Sequence, residues 1–233
     1  MYFTNNHRFK DNYNPKELRY LLATAKRMLP EYIFDNAKLE GNPMTFPEVK
    51  TLLDGITVGG HKLSDERQVL NLRKSWHLLI DYVGRGAFEL SSTIMNSINS
   101  KVAEEEALEW GSFREGPVFI SGTKKYRCPP AGQLNTIFAN DIAKIKAMKN
   151  PVERAITFFL WGSLNQFYYD GNKRTSRLMA NGIMLSECIG VFNTPASLMV
   201  PYNELMVEFY DTKDATEISG FFEESCLVTF DYI

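Results

Sequence analysis

The sequence predicts an all-α bundle carrying one small β-hairpin, and three observations lead there. Helix-start signals recur along the chain, apolar residues between them repeat at three- and four-residue spacing, and one short window alone favours strands. At 233 residues, 44% of them hydrophobic, the chain can bury one substantial core. No repeat, low-complexity stretch or linker divides it, so we read 1–233 as a single domain.

Each element follows from local chemistry. Thr45 and Glu48 form a capping-box pattern, with Met44 and Val49 placed as the hydrophobic staple around it, which predicts a helix burying Leu52 and Leu53. Ser64 is the expected cap of the next helix, whose apolar face is Val69, Leu72, Trp76, Leu79 and Val83; Leu90, Ile94, Ile98 and Val102 repeat the pattern in the one after. His77, next to Trp76, reads as a structural histidine. Asn150 and Pro151, with Glu153 in the first turn, open a strongly apolar helix that should be central: Ala155, Ile156, Phe158, Phe159, Leu160 and Trp161 follow at once. The strand-favouring window runs from Gly116 to Tyr126, where residues of high β-propensity flank a Ser121-Gly122 turn.

Charge and composition exclude several roles. A formal charge of -2 and a pI near 6.0 lack the broad positive field of nonspecific nucleic-acid binders and polybasic membrane-surface proteins. Three cysteines, Cys128, Cys188 and Cys226, are an odd number without metal-ligand spacing and suit a reducing compartment. No apolar run approaches the roughly 20 residues of a membrane span, and the amino terminus lacks a signal-peptide pattern. The expectation is a soluble, cytoplasmic protein.

The chemistry concentrates in QFYYDGNKRTSRLMAN, from Gln166 to Asn181. Asp170, Gly171 and Asn172 interrupt the helical pattern, and a second helix resumes with Leu178, Gly182, Leu185 and Ile189 on one face. A tight loop feeding a helix amino terminus presents backbone N–H groups that lack intrahelical partners, in a dipole field that favours anions. Arg174, Arg177 and Asn181, spaced by three and four, project from one side of that helix and are placed to clamp a phosphate. Asp170 can supply an oxygen to a magnesium ion bridging phosphates. Singly, these features read as a turn and a solvated helix face; as a set at fixed spacing they favour phosphate.

Asp170-Gly171-Asn172-Lys173-Arg174 followed by Arg177 resembles the signature of the Fic family, His-Pro-Phe-x-Asp-Gly-Asn-Gly-Arg-x-x-Arg. The 118–126 window with Pro129-Pro130 resembles the family's target-docking flap, and Asn36 to Asn42 resembles its inhibitory-helix motif, Ser/Thr-x-x-x-Glu-Gly/Asn. The similarity runs from about Tyr32 to Cys226, with an inhibitory helix at about 31–41 and a core at about 68–226. It implies a Fic-type helical bundle with a β-hairpin flap, and a site for ATP with Mg2+. Most active members transfer AMP to a hydroxyl of a target protein; the Doc toxins transfer phosphate. By position, the resemblance makes Asp170 the metal ligand. Gly171, Asn172, Lys173, Arg174, Arg177 and Asn181 become the nucleotide-binding set. Gln166, Asn172 and Arg174 take the catalytic positions, and Glu40 becomes the inhibitory residue, with Arg177 as its partner. The partner it implies is a target protein docking on Val118–Tyr126, with homo-oligomerisation compatible and neither nucleic acid nor membrane involved.

The departures from the signature carry as much information. Gln166 stands where the family has its histidine, Phe167 where it has proline and Tyr168 where it has phenylalanine. A glutamine amide orients a hydroxyl but accepts no proton at neutral pH, and losing a general base typically costs about 10²- to 10⁴-fold in rate. Lys173 replaces the second motif glycine, as in the Doc toxins, and adds charge and bulk; Asn36 replaces the usual Ser or Thr. Three functions follow in order: an adenylyltransferase of weak or lost activity restrained by Glu40, a noncatalytic nucleotide-responsive or protein-binding homologue, and a Doc-like protein kinase.

Overall fold

The computed structural model describes residues 3–123 and 125–230. Their helices are α1 (Leu18–Leu39), α2 (Phe46–Leu53), α3 (Leu63–Gly84), α4 (Ser92–Val102), α5 (Leu134–Lys146), α6 (Pro151–Asn165), α7 (Asn172–Ser186), α8 (Met199–Thr212) and α9 (Thr216–Ser225). The sheet is one antiparallel pair, β1 (Val191–Phe192) with β2 (Leu227–Val228), in the register Val191 to Val228 and Phe192 to Leu227.

The central pair is α6 and α7. Asn150 caps α6, its side-chain oxygen accepting from the N–H groups of Val152 at 2.9 Å and Glu153 at 3.1 Å, an arrangement worth about 1 kcal/mol. Every α6 residue from Ala155 to Asn165 is buried, as are nearly all of α7, so the two helices form the interior rather than one face of it. Their close approach depends on Gly162: a Cβ there would lie 2.2 Å from Ser176 Oγ. Beside them, Phe113 stacks 4.8 Å from Phe167, which lies 4.8 Å from Trp161, and Trp161 Nε1 donates to Asp141 Oδ2 at 3.1 Å. This aromatic wall fixes the start of the loop between the helices.

Several boundaries differ from the sequence expectation. Glu48 accepts the Thr45 N–H at 2.7 Å, and Met44 and Val49 are both buried, as the capping box and staple require; Leu53, however, is only half-buried. α3 starts at Leu63 with Lys62 as cap, because Asp65 accepts the Lys62 N–H at 3.2 Å and takes the role assigned to Ser64. His77 is exposed, not structural, since it faces away from the Val69–Leu72–Trp76 stripe. The inhibitory-helix segment is the end of a longer helix, α1, which carries Pro30 inside it.

The β-hairpin is not where the β-propensities placed it. Among the described residues, the 117–126 stretch turns at Ser121-Gly122 and pairs with no strand; the small sheet is β1 with β2, near the carboxyl end. Gly122 has φ +88 and supplies the turn, but the flanking segment is tied to helices instead of to itself. The N–H groups of Lys125 and Tyr126 donate to Asp211 Oδ1 at 3.0 and 3.3 Å, and Tyr126 Oη donates to Leu164 O at 2.7 Å. The two bonds to α8 use backbone N–H groups that a ladder would need. No described helix is long and apolar enough to cross a membrane. The described cysteines are free thiols, with Cys226 buried and Cys128 and Cys188 half-buried.

Candidate nucleotide-binding site

The loop between α6 and α7 is built by left-handed residues at both ends. Gln166 caps α6 at φ 50, ψ 62, and Gly171 precedes α7 at φ 72. Glycine is required at 171 twice over: L side chains rarely adopt that φ, and a Cβ would sit 2.8 Å from Val102 Cγ1. Asn172 ties the loop to itself. Its Oδ1 accepts the Tyr168 N–H at 2.8 Å, while its Nδ2 donates to Tyr168 O at 2.8 Å and to Gln166 Oε1 at 3.1 Å. Asn99 of α4 supports the loop from below, donating to Asp170 O at 3.2 Å and Thr175 Oγ1 at 3.1 Å and accepting from Gly111 N at 2.9 Å. The N–H groups of Asn172, Lys173 and Arg174 form the first turn of α7 and have no intrahelical acceptors.

Three cations follow that turn, and each meets a different partner. Arg174, buried, donates from Nη1 to Glu106 Oε2 at 2.7 Å and lies 3.5 Å from Asp170 Oδ1. Burial alone would lower the guanidinium's pKa, but Glu106, Glu40 and Asp170 outweigh it and hold that pKa above its ordinary value. Lys173 lies 3.2 Å from Glu40 Oε2. Here too burial lowers the pKa, and Glu40 with Tyr202 more than offsets it. Arg177 is 2% exposed, donating to Asn36 Oδ1 at 2.5 Å and Tyr202 Oη at 2.9 Å, with its guanidinium 5.1 Å from the centre of the Phe159 ring.

Glu40 therefore does not pair with Arg177. It is the C-cap of α1, and its carboxylate turns to Lys173 because the lysine stands where a glycine would offer no charge, while Asn36 and Tyr202 already fill Arg177. Two atoms here remain buried without a hydrogen-bond partner, Glu40 Oε1 and Arg177 Nε. Asn36, despite replacing Ser or Thr, supports the helix end through Arg177 itself.

Asn181 lies apart from the loop. Its Nδ2 donates to Arg177 O and Phe192 O at 3.0 and 2.9 Å, and its Oδ1 accepts the Phe192 N–H at 2.8 Å, so it pins β1 to α7. A fully buried amide with both ends on backbone is not available to a ligand. Asp170 is 55% exposed at the loop tip, with Oδ1 accepting the Gly171 N–H at 2.5 Å. Among the described residues no cluster of three or more His, Cys, Asp or Glu could hold a metal. A single exposed carboxylate fits magnesium delivered by a phosphate and still largely hydrated, not a protein-caged ion.

Gln166 has both polar ends engaged: Nε2 donates to Ser163 O at 2.7 Å and Oε1 accepts from Asn172. Sequence reasoning missed four residues that shape this site, Asn99, Glu106, Arg114 and Tyr202. Arg114 donates from Nε to Gln166 O at 2.6 Å, and its backbone N–H reaches Phe167 O at 2.8 Å. A signal existed for Asn99, a polar residue one turn beyond Met95 on the buried face of α4.

The described residues thus form a helical protein in which a tight loop meets a helix amino terminus beside three cations. No family model matches the chain. Two curated proteins described as protein adenylyltransferase Fic, from Aedes aegypti and Culex quinquefasciatus, are each 22% identical to it over 173 residues, which is 71% of this chain. The matched region is 34% of each relative, so the chain spans about a third of their length. Among solved structures, Fic-1 from C. elegans superposes with a TM-score of 0.71 at 16% identity, over 89% of this chain and 68% of that one. A Fic-domain-containing signaling protein from Bacteroides thetaiotaomicron gives 0.70 at 17%, over 83% and 75%. Sequence and structure are similar to the same proteins, and the fold is the helical fold of those Fic structures.

Proposed function

We propose that this protein binds ATP with magnesium at the 170–177 loop and helix, and that it is an adenylyltransferase toward a protein hydroxyl whose activity is weak or lost. The observation that carries the reading is the placement of Lys173, Arg174 and Arg177 on the first turns of α7, beside the amides of a loop turned by Gly171. Two buried arginines and a half-buried lysine beside unpaired helical amides suit a polyphosphate better than any neutral ligand. Arg174 and Arg177 would hold the β and γ phosphates, and Asp170 is the oxygen donor for a phosphate-bound magnesium, whose chemistry would be charge neutralisation between phosphates. Most active Fic proteins transfer AMP, which is the reason for ranking that reaction above phosphate transfer.

Two restraints act on the same reaction in this reading. Glu40 occupies Lys173 and places a carboxylate where the terminal phosphate would approach. Gln166 leaves the attacking hydroxyl without a strong base, and its amide is spent on Ser163 and Asn172. That engagement favours, as the second reading, a noncatalytic module that responds to nucleotide through Glu40 and α1.

Incubation with ATP labelled at the α or the γ phosphate, read alongside calorimetric ATP binding, tests the conclusion. Slow transfer of α label to protein is expected. Transfer of γ label alone makes the protein a Doc-like kinase; ATP binding without either transfer moves the conclusion to the noncatalytic module. Absence of ATP binding with magnesium refutes both.

A further inference from the structure

Arg114 is 3% exposed, yet among the described residues no carboxylate lies within ion-pair distance of it. Its guanidinium is held by backbone carbonyls alone: Nε donates to Gln166 O at 2.6 Å, Nη1 to Gly116 O at 2.7 Å and Nη2 to Pro129 O at 2.6 Å. A guanidinium carries five N–H donors, so two remain. A buried cation without a counter-charge is costly, and burial is the first cause that lowers this guanidinium's pKa. Every other buried arginine in the site has a carboxylate, or a neutral side chain with an aromatic face, as partner.

The space beside it is built to receive something. Arg114, Gly116 and Pro129 line one cavity of about 380 Å³, so the two residues whose carbonyls grip the Nη atoms belong to its wall. A water's share of volume is about 30 Å³, so one or two waters do not fill it. Arg127 adds a second, exposed cation, and Val118 and Pro130 add apolar surface. Phe119, also lining it, is 83% exposed. Glu115 lines the cavity as well, but it is exposed and makes no ion pair with Arg114. A free inorganic anion has no use for an exposed aromatic and an apolar wall, whereas a polypeptide segment with an acidic side chain matches both.

The geometry points to this cavity as the docking site for an Asp or Glu side chain of a protein segment, with Arg114 as the buried counter-ion and Arg127 as the rim cation. The assignment deepens the proposed function, on which it rests for its purpose: Arg114 also grips Gln166 O, so the docked carboxylate would sit one side chain away from the motif loop. The chain would then select target segments in which an acidic residue lies close to the modified hydroxyl. Arg114 is a positioning residue, linking the docked segment to the loop without touching the reacting atoms.

The test uses the whole chain, labelled with 15N, and two capped tripeptides, acetyl-Ala-Glu-Ala-amide and its Gln counterpart. The Arg114 Nε–H, buried and hydrogen-bonded, is the reporter, assigned by its loss in Arg114→Lys. The Glu peptide should shift that resonance and the amides of Gly116 and Val118 in a saturable way, and the Gln peptide should bind at least tenfold more weakly. Arg127→Gln, a rim change that leaves the fold untouched, should weaken the Glu peptide several-fold. Equal binding of the two peptides, or shifts that never saturate, overturns the assignment. So does much tighter binding of acetyl-Ala-phosphoserine-Ala-amide, which would make the cavity a phosphate reader. ATP titration of the same sample separates the two conclusions: peptide binding without ATP binding sinks the proposed function alone, and ATP binding without peptide discrimination sinks this one alone.

Discussion

Glu40→Gln removes one charge and changes almost nothing in shape, which makes it the sharpest probe of the site. In the structure Glu40 faces Lys173 at 3.2 Å, with side-chain exposures of 18% and 29%. Such a pair lies between an exposed ion pair, worth about 0.2–1 kcal/mol, and a charge-assisted bond in a dry site, worth about 1.5–3 kcal/mol. Taking about 1–2 kcal/mol, release of Lys173 and loss of the repelling carboxylate should tighten ATP binding by about 5- to 30-fold. Calorimetry with magnesium present measures this, with Glu31→Gln on the exposed face of α1 as control. A double-mutant cycle then identifies the partner. Glu40→Gln should couple strongly with Lys173→Gln and weakly with Arg177→Gln, because Arg177 is satisfied by Asn36 and Tyr202. Unchanged affinity in Glu40→Gln, or coupling mainly to Arg177, refutes the reasoning.

Arg174→Ala should weaken ATP binding by about 10- to 150-fold, the equivalent of one charge-assisted contact, while the exposed Lys149→Ala should leave it unchanged; equal affinities would remove Arg174 from the site. Asn181→Ala strips the partners from both backbone groups of Phe192 and should cost about 2–4 kcal/mol in denaturant unfolding with ATP affinity preserved in the folded protein; a selective loss of ATP affinity would return Asn181 to the nucleotide. Glu48 is held down to about 2 by the Thr45 N–H first, then the Thr45 hydroxyl and His61. A depressed carboxylate stabilises the fold above its unfolded pKa and loses that contribution as pH falls through about 2, so carbon NMR of its carboxyl should show a midpoint near 2, and one near 4.5 would contradict the capping geometry. Adding Gln166→His to Glu40→Gly supplies an acceptor with an unperturbed pKa of about 6.5 and should raise α-label transfer well beyond either single change; ATP binding without that rise would make Lys173 the next obstacle.

The elements that local chemistry decides were legible in the sequence. Asn150 and Pro151 can open a helix whatever surrounds them, and Thr45 with Glu48 closes its capping box within four residues. The 116–126 window failed because strand propensity describes fitness for a pleated, half-buried surface, and this segment is offered α8 and α6 instead. Its hydrogen bonds go to Asp211 and Leu164, 85 and 38 residues away, and nothing in the window encodes them. β1 and β2 failed for the same reason in reverse: two-residue strands are too short to show alternation, and they form because Asn181 already holds Phe192.

Within the site, the line between legible and hidden follows how far apart the interacting residues lie in sequence. The loop of Asp170, Gly171 and Asn172 and the positions of Arg174 and Arg177 are set within one helix start, and the spacing alone places them. Their electrostatic state is set by residues from elsewhere: Glu106 lies 68 positions from Arg174 and Asn36 lies 141 from Arg177. Lys173 shows why a motif cannot settle this by itself. The Fic signature has glycine at this position, and a glycine would offer a carboxylate arriving from α1 no charge to pair with. A lysine there offers a nearer cation, and Arg177 is left to neutral partners. The lysine at this one loop position thus sets which cation the Glu40 carboxylate holds. Arg177 keeps a buried Nε–H without a partner, and that donor is the one the phosphate of the proposed nucleotide would use.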